Sequence, residues 1–117
     1  MRFLSLPVLG CLLCSCTAEP AGVSYTIVSG IFESNCVSCH GAKEPESELR
    51  LASHAAILPG GKSGPAVIPG AAGSSILISA VEDSGLVTRM PPEDEAPVLD
   101  AASISLLRRW VEGGAKP

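Results

Sequence analysis

The chain has 117 residues, of which 46% are hydrophobic, 17% charged and 3% aromatic, and its formal net charge is −4. This length fits a single domain, and the acidic balance argues against binding to nucleic acid or to an anionic membrane surface. Beyond residue 16 the aromatic residues are Tyr25, Phe32 and Trp110. Such a thin aromatic core predicts that a disulfide, a metal or a cofactor contributes to stability.

The segment 1–16 is typical of an export signal. A charged start at Arg2 precedes a leucine-rich stretch that is too short to cross a membrane. Its end, Leu13-Cys14-Ser15-Cys16, resembles a bacterial lipobox, which would place a lipid anchor on Cys16; ordinary cleavage after Ala18 is the alternative. We therefore expect an exported protein, periplasmic or anchored as a lipoprotein, without a transmembrane span and with residues 17–24 as a tether.

The rest of the chain carries helical patterns separated by loops. Apolar pairs at i,i+4 predict a first helix over residues 25–35. Leucines and alanines indicate a short second helix within 49–56. Ser74 or Ser75 is a suitable cap for a third helix over 76–81.

The last helix has the clearest pattern. Asp100 is a good N-cap, an apolar stripe runs through Ile104, Leu107 and Val111, and Gly113-Gly114 marks the stop. Glycine and proline fill much of 59–73, and Met90-Pro91-Pro92 lies in a second long loop over 82–99. Because no alternating strand pattern is present, we predict a small all-α domain over 25–117 with long loops.

The motif that carries chemistry is Cys36-x-x-Cys39-His40, the attachment signature for c-type haem. Two thiols add to the two vinyl groups of haem and form thioethers. The adjacent His40 can then provide the proximal iron ligand through Nε2, while its Nδ1–H donates to a backbone carbonyl. The sequence therefore predicts one covalent haem c with its iron.

A candidate for the distal ligand is Met90, the one methionine beyond the leader. Thioether sulfur is a soft ligand that suits iron opposite histidine, and His/Met ligation raises the reduction potential. The following prolines stiffen its loop. His54 is the rival distal ligand and would give bis-histidine iron with a lower potential.

Two readings without haem compete with this interpretation. Cys36 and Cys39 could form a structural disulfide, but so short a loop gains little stability. A zinc site from Cys36, Cys39, His40 and His54 would need adjacent Cys39 and His40 on one tetrahedral centre, and the second paired motif of ordinary zinc modules is missing.

Several short sequence segments resemble class I cytochrome c, and more narrowly the planctomycete-type cytochrome c domain, and they occur in the order that this family requires. They are Cys36-Val37-Ser38-Cys39-His40-Gly41, Glu48–Leu51, Gly60–Gly70, Ser74–Ile78, Arg89–Pro92 and Leu106–Ala115. The resemblance implies short helices and long loops wrapped around one haem, with His40 proximal, Met90 distal and the first and last helices crossed. Phe32 matches an aromatic at that crossing, and Gly64-Pro65 resembles the segment whose carbonyl accepts the proximal histidine proton.

These features predict electron transfer by a monohaem cytochrome, without enzymatic activity of its own and with a redox protein as partner. The acidic run 93–95 could serve as a docking patch for a basic partner or simply be a solvated loop. The alternative function is a haem-based accessory or ligand-sensing domain whose distal site is open or ligated by histidine.

Overall fold

Four short α-helices and two 3₁₀ turns make up residues 22–117, the part of the chain that the computed structural model describes. The helices are α1 (Tyr25–Asn35), α2 (His54–Ile57), α3 (Ile76–Val81) and α4 (Ala101–Glu112), and the turns are Glu46–Glu48 and Ala72–Ser74. No strand forms within 22–117, which confirms the prediction of an all-α fold with short helices and long loops. The predicted leader (1–16) and residues 17–21 of the predicted tether lie outside the described residues.

The centre of the core is the contact between α1 and α4. Val28 and Phe32 face inwards from α1, and Trp110 from α4; all three are completely buried. The Phe32 and Trp110 rings meet edge to face, with centroids 5.8 Å apart and planes at 76°. This arrangement is favourable for aromatic pairs, and it confirms Phe32 as the aromatic residue at the helix crossing.

The boundaries of α4 follow from its caps. Asp100 accepts a hydrogen bond from the Ser103 amide at 2.7 Å, as its position before the apolar stripe predicts. At the other end the Gly114 and Ala115 amides donate to Val111 and Trp110 at 3.0 and 2.9 Å. Gly114 has φ +104°, the backbone conformation that such a C-terminal cap requires and that glycine adopts without steric cost.

The segment after α4 folds back and joins the two main helices. The Lys116 carbonyl accepts hydrogen bonds from the Tyr25 amide and from Trp110 Nε1, both at 2.9 Å. A single carbonyl therefore links the start of α1 to the end of α4 and satisfies the indole donor of a buried tryptophan.

The second helix is shorter than the sequence predicts. The Leu49 and Leu51 amides donate to the Glu46 and His40 carbonyls at 3.1 and 2.8 Å, so these two leucines pair with the segment before them and do not extend the helix. The helix α2 begins at His54, where the Ser53 hydroxyl accepts from the Ala56 amide at 3.2 Å.

The third helix begins where expected, but without the predicted serine cap. Ser75 precedes α3 and makes no side-chain cap. Its buried hydroxyl accepts from the Ile68 amide and donates to the Ala71 carbonyl, both at 2.9 Å. Ser75 therefore organises the loop before α3, and that loop also reaches α4 through the Gly70 amide, 2.7 Å from the Val111 carbonyl.

Within residues 22–117 the longest helix, α4, has 12 residues, and none of the helices there meets the length and apolarity that a membrane crossing requires.

Candidate functional site

A cavity of about 800 Å³ lies between the end of α1, the helix α3 and the long loops. Its size falls within the range of about 300–1,000 Å³ that is common for cofactor and ligand sites. Cys36, Cys39, His40 and Met90 all line it. The structure thus brings together at one cavity four residues that the sequence singles out, although fifty positions separate His40 from Met90.

The two cysteines follow directly from the end of α1. The Cys36 amide still donates to the Phe32 carbonyl at 2.9 Å, and the His40 amide donates to the Cys36 carbonyl at 2.9 Å. Cys36 is partly buried, Cys39 is exposed, and both thiols are free. Burial, together with the nearby Cys39, raises the pKa of the Cys36 thiol to about 11, so this thiol is protonated at neutral pH.

The His40 ring is fixed by the loop that follows it. His40 is only 8% exposed, and its Nδ1 lies 3.1 Å from the Glu46 carbonyl oxygen and 3.2 Å from that of Leu49. Carbonyl oxygens only accept hydrogen bonds, so Nδ1 carries the proton and donates it. In the neutral imidazole this tautomer leaves the lone pair on Nε2, as a metal-binding imidazole requires.

The resemblance implies that a carbonyl of Gly64-Pro65 accepts the His40 proton, but the acceptors are the carbonyls of Glu46 and Leu49. The Gly64 carbonyl instead accepts from the Gly61 amide at 3.1 Å, in a tight turn whose Lys62 amide donates to the Ser47 carbonyl at 2.8 Å. Gly64 still lines the cavity, but the hydrogen-bond acceptors for the His40 ring come from the loop 41–49.

Met90 reaches the cavity from the long loop between α3 and α4. Its amide donates to the Ala80 carbonyl at 3.0 Å, which ties the loop to the last turn of α3. Pro91 is buried and lines the cavity beside it. The main chain at Met90 is thus held in place and not free in solvent.

The wall of the cavity is mainly apolar, and charged residues occur among its lining as well. The apolar lining comes from α3 and the loops: Leu49, Leu51, Ile76, Leu77, Ala80 and Val81. The charged side chains are Glu46, Lys62, Asp94 and Glu95, all exposed. Apolar walls with a few polar groups are typical of cofactor sites.

His54 lies elsewhere. Its Nε2 is 2.6 Å from the Ala115 carbonyl oxygen, so Nε2–H donates there. Its ring packs against Tyr25 and Trp110, with centroids 5.8 and 6.3 Å away. This position separates His54 from the other three members of the zinc site considered from the sequence, and within 22–117 no three His, Cys, Asp or Glu side chains cluster as a metal site.

Two arginines in the segments that resemble the family, Arg50 and Arg89, donate hydrogen bonds to backbone carbonyls. Arg50 Nε donates to the Ala42 carbonyl at 3.2 Å, and Arg89 Nη2 donates to the Ala96 carbonyl at 2.7 Å. Neither hydrogen bond is predictable from the sequence, because each depends on how a loop folds back.

The donor set at the cavity fits haem c. One mainly apolar cavity is lined by residues that carry three kinds of donor group. They are two free thiols separated by two residues, an imidazole with an available nitrogen, and a thioether. Thioether bonds, a nitrogen ligand and a soft sulfur ligand are what covalent haem of the His/Met type needs.

Comparison with known proteins supports the same class. The family model described as planctomycete cytochrome C matches residues 36–94, half of the chain. Neither the curated proteins nor the solved structures contain a significant match. The matched segment contains the two cysteines, His40 and Met90, together with most of the residues that line the cavity. The chain therefore belongs to the planctomycete cytochrome c family.

Proposed function

We propose that this protein is an exported, monohaem c-type cytochrome that transfers electrons with His40 and Met90 as axial ligands. The observation that carries the proposal is the meeting of Cys36, Cys39, His40 and Met90 at one cavity. Membership in a cytochrome c family supports the coarser statement, a haem-c protein of the electron-transfer class. One Cys-x-x-Cys-His motif in the chain supports a single haem.

The two cysteines provide the covalent attachment. Cys36 lies in the first turn beyond α1 and Cys39 three residues further on, so the segment that binds the cofactor is anchored to the main core helix. The bound haem supplies the redox couple at its iron, and the protein sets the potential through axial ligands, burial and hydrogen bonds.

His40 provides the proximal ligand in this proposal. The carbonyls of Glu46 and Leu49 hold the proton on Nδ1. A hydrogen bond there fixes the ring orientation and strengthens Nε2 as a ligand. The residue is only 8% exposed, which limits the contact of this ring with bulk water.

Met90 provides the distal ligand. Its amide bond to Ala80 and the two prolines after it restrict the loop, which reduces the conformational entropy lost when the side chain is fixed. His54 is a poor competitor, because its Nε2–H already donates to Ala115 and the ring is packed in the aromatic core. With both axial positions filled, the protein acts as an electron carrier and not as an enzyme.

The proposal assigns residues 25–117 to the cytochrome domain and 1–16 to an export leader, with 17–24 as the tether. In this proposal the partner of the cytochrome domain is a redox protein. Acidic residues such as Asp94 and Glu95 line the cavity, and charge of one sign near a redox site favours encounter with a partner of the opposite sign.

The test is an absorption spectrum, oxidised and reduced, of protein from a host that exports it and matures c-type haem. We expect haem that remains attached after denaturation and a ferric absorption band from methionine–iron ligation. Met90→Ala should lose that band while keeping covalent haem; Val87→Ala, a truncation at the same cavity, is the matched control and should keep it.

The other outcomes separate the alternatives. Covalent haem without the methionine band in the wild-type protein would favour an open or histidine-ligated site, the accessory or sensing function. Folded protein without haem from the same host would refute the proposal. The intact mass of the mature protein distinguishes lipidation at Cys16 from cleavage after Ala18.

A further inference from the structure

The Met90 loop is closed by a contact that the proposed function does not use. Arg89 Nη2 donates to the Ala96 carbonyl oxygen at 2.7 Å. The amides of Glu95 and Ala96 both donate to the Pro92 carbonyl at 3.0 Å. The guanidinium of Arg89 thus bridges the ends of a short loop, and Met90, Pro91 and Pro92 lie inside it.

Arg89 is half-buried, and part of its guanidinium is removed from solvent. Arg89 Nε is buried and has no hydrogen-bond partner among residues 22–117, although arginine heads usually remain in water. A buried donor without a partner is unfavourable, so the contact with Ala96 must compensate for it. Hydrogen bonds from a charged donor are stronger than neutral ones, which fits this requirement.

The bridge lies next to residues that line the cavity. Thr88, Met90 and Ala96 all line the cavity. The Met90 main chain has its other attachment at the Ala80 carbonyl, 3.0 Å away. The loop is therefore fixed on one side to α3 and on the other to its own far end.

We infer that Arg89 is a positioning residue for Met90: by binding the Ala96 carbonyl it keeps the Met90 loop closed and holds the thioether at the cavity. This inference rests on the proposed function, in which Met90 is the distal ligand. Opening the loop would release the thioether without touching the thiols or His40. An external ligand would then replace methionine more readily.

The experiment measures the affinity of the ferric holoprotein for imidazole. Loss of the methionine–iron absorption band reports the binding. We expect Arg89→Gln, which removes the charge, to raise imidazole affinity about ten- to hundredfold, the range typical of losing a hydrogen bond to a charged group. Arg89→Lys, which keeps a charged donor, should recover part of the wild-type value. Arg109→Gln is the matched control, because Arg109 is exposed and makes no side-chain hydrogen bond or ion pair within residues 22–117.

Equal imidazole affinity in wild type and Arg89→Gln, or an equal rise in Arg109→Gln, would overturn the inference while leaving the proposed function intact. If the wild-type protein shows no methionine band, the proposed function fails and this inference fails with it. If Arg89→Gln does not fold, proton exchange at the guanidinium of the wild-type ferrous holoprotein decides. Exchange slower at Arg89 than at Arg109 supports the bridge, and equal exchange overturns it.

Discussion

His54 and Ala115 are 61 positions apart in the chain, yet His54 Nε2 lies 2.6 Å from the Ala115 carbonyl oxygen. The contact joins α2 to the segment after α4, next to the point where Lys116 binds both Tyr25 and Trp110. This part of the molecule is a structural junction, and it is separate from the cavity that holds the candidate ligands.

For His54 we therefore predict a structural role. His54→Phe keeps an aromatic ring beside Trp110 but leaves the Ala115 carbonyl without its donor, which should lower the free energy of unfolding by about 1–3 kcal/mol. Denaturant unfolding measures this loss. The visible spectrum of the holoprotein should stay unchanged, and a changed methionine–iron band would contradict this assignment.

Trp110 should be the most sensitive core position. Trp110→Ala removes a completely buried side chain and should cost about 3–5 kcal/mol. Trp110→Phe keeps a ring against Phe32 but loses the indole bond to Lys116, so its cost should be smaller. Urea unfolding of both variants checks the order, and equal losses would mean that packing of the ring contributes little.

The cap at Asp100 predicts a pH dependence. Its hydrogen bonds with Ser103 hold the pKa of the Asp100 carboxyl below its ordinary value, which is about 3.9. The stabilisation is therefore complete above that value and is lost as the pH falls through the lower pKa of the folded state.

Asp100→Ala should consequently be less stable than wild type near neutral pH, and the difference should shrink in acid. Asp100→Asn keeps an acceptor without a titrating group and is the control, since its cap should not respond to pH in this range. Thermal unfolding from pH 7 down to pH 3 measures the difference, and a gap that stays constant would exclude a charged cap.

The two cysteines should differ in reactivity before haem is attached. The thiolate is the reactive form, and the pKa of Cys36 is raised to about 11. In the folded haem-free chain at pH 8, alkylation of Cys36 should be at least about tenfold slower than in denaturant, and its rate should rise with pH.

Exposed Cys39 provides the internal comparison. Peptide mass spectrometry after timed alkylation separates the two sites, and we expect Cys39 to react first. Equal rates in native buffer would show that burial does not protect Cys36 in the haem-free chain.

The features predictable from the sequence are those set by local chemistry. Asp100 and Gly114 cap α4 as their residue types suggest, since both caps depend on neighbouring amides and carbonyls. The apolar stripe of α4 and the Val28–Phe32 pair of α1 predict the faces that meet, whereas Ile27, an apolar residue of the other predicted α1 pair, is 55% exposed. Short motifs also predict the candidate ligands, and the structure places them at one cavity.

The features that the sequence did not reveal depend on contacts between distant or irregular segments. The loop 41–49 places Glu44, Ser47 and Glu48 at positive φ, where glycine or asparagine would have been the usual signal. Its carbonyls at Glu46 and Leu49 therefore could not be foreseen as partners of His40. The residue type and position of Ser75 predict a helix cap, but the sequence does not show that its hydroxyl binds the preceding loop.

Each side of the cavity is held by contacts between residues that are close together in the chain. On one side His40 pairs with Glu46 and Leu49, and on the other the Met90 amide binds the Ala80 carbonyl. The two sides themselves are fifty positions apart, from His40 to Met90. Closing a long loop costs more entropy than pairing neighbours, and contacts of low sequence separation form sooner. The two sides should therefore each assemble as a local unit, and their approach across the cavity should be the last step to form and the first to be lost.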